Sequence, residues 1–169
     1  MANKKEVVQS SLILRTPTPQ DGAAIWQLVE ATGILDLNSA YLYLLLCRDF
    51  ADTCLVAELD SQLVGFVTAY HPPASPKVLF VWQVGVSPTL RRQGLGLQML
   101  TALVAHCDLS TTHFLEATVS PSNTASRRLF ERLARTLDVS LTEMEGFKES
   151  DFPVGDHESE PLLRIGPLR

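Results

Sequence analysis

Arg91, Arg92, Gly94 and Gly96 stand together in the run RRQGLG. Guanidinium groups make charge-assisted hydrogen bonds to oxyanions. Glycines let such an anion reach the backbone N–H groups with no Cβ in the way. The residues that follow make the same offer. Leu95, Met99, Leu100, Leu103 and Val104 recur with helical spacing, which predicts a helix over Gln93–Cys107. The first N–H groups of a helix have no partner within it and lie at the positive end of its dipole. Ahead of the run, VLFVWQVGV (Val78–Val86) reads as a buried strand, with Ser87 and Pro88 at the bend. Strand, basic glycine loop and helix together form an anion site. The spacing is neither GxxxxGK[ST] nor GxGxxG, so it is neither a Walker loop nor a dinucleotide fingerprint.

Other residues stand out because polar chemistry sits among apolar neighbours. Asp36 lies in ILDLN, followed by Asn38 and Tyr41, and Glu116 lies within the strand-like FLEAT. Asp36 fits a local Asx-turn, and Tyr41 fits the apolar side of a helix. A carboxylate is costly to bury unpaired, so Glu116 faces either solvent or a site. Trp82 interrupts an aliphatic strand, where a Trp is usually packing. Asn123 opens a helix and fits an N-cap. The segment DHESE holds His157, Glu158 and Glu160, a set that a solvated loop also explains. No set of His, Cys, Asp and Glu has the spacing of a metal site.

These residues need elements to hold them. Leu12–Arg15 reads as a first strand, and Asp21 as the cap of a helix to about Ala31. Residues 32–40 form a loop, and a helix from Tyr41 to Phe50 follows with Ser39 as its cap. Thr53–Glu58 and Leu63–Tyr70 form a hairpin around Asp60 and Ser61. Phe114–Val119 is a strand, Asn123–Leu137 a helix and Val139–Thr142 a strand. Residues 143–160 read as polar and irregular, and Leu162–Ile165 as a last short strand. The order βααβββαβαβ implies one mixed sheet with helices on both faces, an α/β (α+β) arrangement. Residues 1–10 are expected to be a flexible tail, and 11–169 a single domain.

The 169 residues are 46% hydrophobic and 20% charged, which favours a folded core over disorder. The formal charge of −5 argues against nucleic acid, whose phosphates need a basic face. Cys47, Cys54 and Cys107 form no CxxC pair and read as reduced thiols. No apolar run approaches a bilayer span, and MANKKEVVQS is too polar for a secretory leader. A cytoplasmic location is expected.

The pattern R-x-x-G-x-G at Arg91, Gly94 and Gly96 resembles the acetyl-CoA pyrophosphate loop of the GNAT superfamily of N-acetyltransferases. EATVSPSNTASRRLF resembles that family's late N-x-x-[AS]-x-x-L-[YF] element, at Asn123, Ser126, Leu129 and Phe130. The resemblance implies a central, mostly antiparallel mixed sheet flanked by helices. It also implies acetyl-CoA as cosubstrate. Arg91, Arg92, Gln93, Gly94, Leu95 and Gly96 would line the pyrophosphate. The peptide groups of Val84 and Val86 would lie along the pantetheine, and Asn123 would contact the cofactor. Phe130 departs from the pattern, because many relatives carry there a Tyr that protonates the leaving thiolate.

TGILDLNSAYLYLLLC, AYHPP, LFVWQVGV, FLEATVSPSN and HESEPLLRIGP together resemble the L-2,4-diaminobutyrate acetyltransferases of ectoine synthesis, from about Leu12 to Pro167. This resemblance implies transfer of acetyl to the 4-amino group of L-2,4-diaminobutyrate, without a metal. It implies Asp36 as amine ligand and base, with Glu116 a second base candidate and Tyr41 and Glu160 in catalytic positions. Asn38, Tyr41, Trp82, His157 and Glu160 would bind substrate, Trp82 through cation–π contact with an ammonium. Arg48 is one candidate for the substrate carboxylate. The family also implies a homodimer. Two other functions fit the same motifs: acetylation of another small amine, such as lysine or a polyamine, and a non-catalytic module that senses acyl-CoA.

Overall fold

The apolar run Val78–Val86 is the fourth strand of a seven-stranded sheet in a computed structural model, which describes residues 11–153, 155 and 157–169. The expected tail, residues 1–10, lies outside the described residues. In chain order the elements are β1 (Leu12–Arg15), α1 (Gly22–Thr32), α2 (Ala40–Asp49), β2 (Leu55–Leu59), β3 (Gln62–Tyr70), β4 (Val78–Val86), α3 (Leu95–His106), β5 (Phe114–Thr118), α4 (Thr124–Thr136), β6 (Ser140–Phe147) and β7 (Glu160–Gly166). The sheet runs β1-β2-β3-β4-β5-β7-β6, and only the β4·β5 pair is parallel. This is the mixed sheet that the element order implies, mostly antiparallel as the resemblance implies.

Alternating side chains put one core on each face. Leu79, Val81, Leu115, Ala117, Leu163 and Ile165 meet the apolar sides of α3 and α4. The helix residues Leu95, Met99, Leu100, Leu103 and Val104 are all buried there. On the other face Phe66 and Val56 meet Ile25, Val29, Tyr43 and Leu46 of α1 and α2.

One extra residue changes which side chains of β4 face which core. Thr68 pairs with Gln83 and Ala69 with Val81, so Trp82 is bulged out of the β3·β4 ladder. A one-residue slip inverts the alternation. Leu79 and Val81 face α3 before the bulge, and Val84 and Val86 face it afterwards. Trp82 and Gln83 are consecutive, yet both turn towards α1 and α2. Trp82 stacks on Tyr43, with centroids 6.4 Å apart, and the Tyr43 hydroxyl donates to Gln83 Oε1 at 2.9 Å.

The structure corrects three local expectations. β6 runs on to Phe147, so residues 143–147 are strand rather than irregular. Thr53 belongs to a short 3-10 turn, and β2 begins at Leu55. Asp21 holds the N-cap position of α1, but its carboxylate turns away from the helix. It accepts from the Thr18 N–H at 2.7 Å and from Arg15 Nη1 and Nη2, each at 2.8 Å. Arg15 also donates to Glu58. Ser39 caps α2 as expected, accepting from the Tyr41 N–H at 3.3 Å.

The Arg15 guanidinium holds the Asp21 carboxyl below the usual carboxylate range. A lowered folded-state pKa adds stability above the ordinary carboxyl pKa, and that stability is lost as pH falls through the depressed value. Asp21→Asn is therefore expected to lower Tm by a few degrees at neutral pH and to narrow its gap to the parent in acid. Melting curves across that range check both effects.

Candidate active site

β4 and β5 pair only through Val78–Phe80 and Phe114–Glu116, and beyond that level the two strands separate. Backbone groups of an antiparallel strand point alternately to one neighbour and to the other. The Ser87 N–H donates to Val64 O of β3 at 2.8 Å, so the alternate residues Val84 and Val86 direct their peptide groups away from β3. They face the gap left by β5. A strand with free peptide groups beside a gap can take an extended amide chain as if it were another strand.

The gap leads to the RRQGLG loop. Arg92 and Gly94 both have left-handed backbone, with φ of 64° and 85°. Left-handed residues at these two positions curl the chain into a concave run of N–H groups that suits an anion. Gly94 is also the N-cap of α3, so Leu95 and Gly96 offer the unpartnered N–H groups of the first turn. Arg92 and Gln93 are exposed beside them, and Gln93 Nε2 donates to Thr89 O at 3.2 Å. Arg91 turns elsewhere, donating to Thr32 O at the end of α1 at 2.7 Å. Asn123 lies at the start of α4, where its Oδ1 accepts from the Ser126 N–H at 3.1 Å and its amide nitrogen remains at the surface. Phe130 is buried in the core under α4.

The opposite face of the sheet gathers the acids. Leu115 and Ala117 point to α3 and α4, so Glu116 and Thr118 point to the face that carries α1 and α2. Arg164 pairs with Glu116 across β5 and β7, and both its Nε and its Nη2 lie 2.6 Å from Glu116 Oε1. The same guanidinium sits 4.9 Å above the Phe114 ring. A carboxylate only 7% exposed is thus neutralised by a charge-assisted pair. One step along β5, the Thr118 hydroxyl donates to Glu160 Oε2 at 2.6 Å. His157 Nε2 lies 3.9 Å from Glu160 Oε1, and the His157 ring stacks on Phe152. Glu158 turns away and accepts from the Ser122 N–H at 3.1 Å.

Asp36 and Asn38 sit on the loop that joins α1 to α2, above the same face. Gln83 Nε2 donates to the Asp36 carbonyl at 3.1 Å, and Trp26 Nε1 to the Asn38 carbonyl at 3.0 Å. The Asp36 carboxylate is exposed, and Tyr41 is 64% exposed on the first turn of α2. The loop carrying Asp36 and the group Glu116–Thr118–Glu160–His157 share a sheet face but no hydrogen bond among the described residues. Arg48 lies apart, paired with Asp49 on an exposed turn of α2.

Two residues beyond the sequence reading belong to this arrangement. Gln83 links Tyr43 and the Asp36 loop to β4, and its signal was an amide beside Trp82 in an otherwise aliphatic run. Arg164 neutralises Glu116, and its signal was a cation at an alternating position within PLLRIG. Among the described residues no group of His, Cys, Asp and Glu is placed to hold a metal. Burial pushes the thiols of Cys47 and Cys54 up to about 12 and about 11, so neither is a nucleophile at neutral pH.

A separated β4·β5 pair beside a basic, glycine-rich helix start is the arrangement expected of the acyl-CoA-dependent transferases that the sequence resembles. The Acetyltransferase (GNAT) family model matches residues 23–134, and the chain belongs to that family. It is 44% identical to L-2,4-diaminobutyric acid acetyltransferase of Halalkalibacterium halodurans over 96% of this chain and 86% of the relative. It is 47% identical to the protein of that name from Bordetella parapertussis, over 92% and 84% of the two chains. Among solved structures, diaminobutyrate acetyltransferase EctA from Paenibacillus lautus, in complex with L-2,4-diaminobutyric acid and coenzyme A, superposes with a TM-score of 0.88. That match has 45% identity and covers 94% of this chain and 96% of the other.

At Gly94 an added Cβ would meet nothing within 4 Å, so any cost of substitution comes from the left-handed backbone. That cost is about 1–2 kcal/mol for an L-residue and more for a β-branched one. Gly94→Val is expected to raise the acetyl-CoA KM by about tenfold or more while the circular-dichroism spectrum stays that of the parent. An unchanged KM would remove the loop from the cofactor site.

Proposed function

We infer that this chain transfers the acetyl group of acetyl-CoA to the 4-amino group of L-2,4-diaminobutyrate, giving N4-acetyl-L-2,4-diaminobutyrate and CoA, in the synthesis of the compatible solute ectoine. The observation that carries the reading is its likeness, over nearly its whole length, to a diaminobutyrate acetyltransferase solved with that amine and coenzyme A. The chain's own chemistry supports it. The gap along Val84 and Val86 ends at a basic anion loop, and the adjoining face gathers Asp36, Glu116 and Glu160, which suit a substrate with two ammonium groups.

The reaction is a direct transfer. A primary ammonium with a pKa of about 10 must lose its proton before it attacks. We assign that proton to Asp36, whose carboxylate is exposed on a loop fastened to β4. Glu116 is the second candidate, with Arg164 on its Oε1. The amine nitrogen attacks the thioester carbonyl, and backbone N–H groups near Trp82 to Val84 meet the developing oxyanion. The C–N bond forms, the C–S bond breaks, the attacking nitrogen sheds its second proton to solvent and CoA leaves as a thiolate. Phe130 has no proton to give. A thiol with a pKa of about 8.5 is mostly protonated at neutral pH, so the thiolate picks up through solvent the proton that the nitrogen has shed. Glu160, held by Thr118, receives the 2-ammonium, with His157 beside it. Trp82, Asn38 and Tyr41 line the same pocket. No step needs a metal.

We place the protein in the cytoplasm as a contributor to osmoprotection; no helix among the described residues is long and apolar enough to cross a membrane. We also propose a homodimer. Met144 and Phe147, 39% and 55% exposed on the edge strand β6, offer apolar contact for a second copy.

Offered L-2,4-diaminobutyrate, ornithine, lysine and putrescine with acetyl-CoA, the protein is expected to prefer diaminobutyrate, and NMR is expected to place the acetyl group on N4. A preference for putrescine would exclude the substrate carboxylate from recognition. CoA binding with no turnover of any amine would support a sensor instead. Asp36→Ala is expected to lower kcat/KM for diaminobutyrate by roughly 100-fold or more, the usual scale for loss of a general base. Near-parental activity would move the base to Glu116, Glu160 or water.

A further inference from the structure

The segment Gly33–Ser39 has no helix or strand of its own, yet two side chains hold its backbone and a third holds the residue it springs from, Thr32 at the end of α1. Arg91 Nη2 donates to Thr32 O at 2.7 Å, Gln83 Nε2 to Asp36 O at 3.1 Å and Trp26 Nε1 to Asn38 O at 3.0 Å. Two of these donors belong to the cofactor half of the site. Gln83 is on β4, one residue before the Val84 peptide group. Arg91 opens the anion loop.

The Arg91 contact is placed for strength. Gly33, with φ of 64°, ends α1, so the Thr32 carbonyl lies at the negative end of that helix. A guanidinium there gains both a charge-assisted hydrogen bond and the helix dipole. It also reaches across 59 residues of sequence to do so. An arginine acting only on phosphate would turn towards the first turn of α3, where Arg92 is exposed and the left-handed backbone collects N–H groups.

We propose that Arg91 is a positioning residue of the amine site: it fastens the α1 end from which the Gly33–Ser39 loop springs to the cofactor loop, so that acetyl-CoA and the amine bind with positive coupling. The proposal rests on reading that loop, with Asp36 and Asn38, as part of the amine site. Cofactor that orders the Arg91 loop also orders the segment carrying Asp36, and the amine then meets a loop whose ordering cost is already met. Such coupling is reciprocal: bound amine tightens the cofactor by the same factor.

The test compares the parent protein with Arg91→Ala and with Arg91→Lys, which keeps a donor. Three readouts are taken: the Kd of CoA without amine, the KM of diaminobutyrate at saturating acetyl-CoA, and hydrogen–deuterium exchange of residues 33–39 with and without CoA. In the parent, CoA is expected to slow exchange in this segment. In Arg91→Ala that slowing is expected to vanish and the amine KM to rise about tenfold or more, the range for a hydrogen bond to a charged group. The CoA Kd is expected to stay within about threefold, and Arg91→Lys to recover part of both losses. A CoA Kd weakened about tenfold, with loop exchange and amine KM unchanged, would make Arg91 a phosphate ligand and overturn the proposal. Parental values for all three would overturn it as well. If the parent fails to acetylate diaminobutyrate, the substrate reading falls, while the exchange of residues 33–39 still decides the coupling.

Discussion

The bulge at Trp82 is the constraint on which the rest of the site depends, because it inverts the facing of β4 halfway along the strand. Without the extra residue, the side chains of Val84 and Val86 would point at α1 and α2, and Gln83 would point into the apolar core under α3. With it, the valines complete that core and Gln83 meets Tyr43 and the Asp36 loop. The neighbouring strand leaves at the same level, so the peptide groups beyond the bulge face open space. Gly85 fits this geometry: a Cβ there would collide with the Phe66 ring.

The two halves of the site use different physics on opposite faces of one sheet. The cofactor half is made of backbone: free peptide groups on β4, left-handed residues at Arg92 and Gly94, and the first turn of α3. It needs little side-chain chemistry, which lets an acidic chain hold a polyanion. The proposed amine half is made of side chains. The acids proposed for it sit on β5, β7 and the α1–α2 loop, and the buried one, Glu116, has a charged partner. Glu116 has Arg164 and half-buried Glu160 accepts from Thr118, so the buried carboxylate is not left unpaired.

Elements with strong periodicity were legible in the sequence. Val78–Val86 was readable end to end from its β-branched run, and the buried side of α3 from the spacing of Leu95, Met99, Leu100, Leu103 and Val104. The loop between β4 and α3 was legible because its glycines stand at the start of a strongly periodic helix. The continuation of β6 through Glu143 and Glu145 was not. An edge strand is paired on one side only and is kept polar to discourage further pairing, so its composition resembles a loop. The residue pattern alone does not place the bulge, because Trp82 looks like any aromatic in a strand. The pairs Arg91–Thr32 and Gln83–Asp36 were hidden for a different reason. Each joins segments distant in sequence, and only the packing of α1 against the sheet brings them together.

The central claim is that the cofactor lies in the gap between β4 and β5, bonded to the peptide groups of Val84 and Val86. Amide exchange of nitrogen-15-labelled protein, followed by NMR with and without CoA, tests it most directly. The account predicts that CoA slows exchange at Val84 and Val86, and at Leu95 and Gly96 in the first turn of α3. Saturating CoA that leaves Val84 and Val86 unchanged while protecting another segment would contradict it.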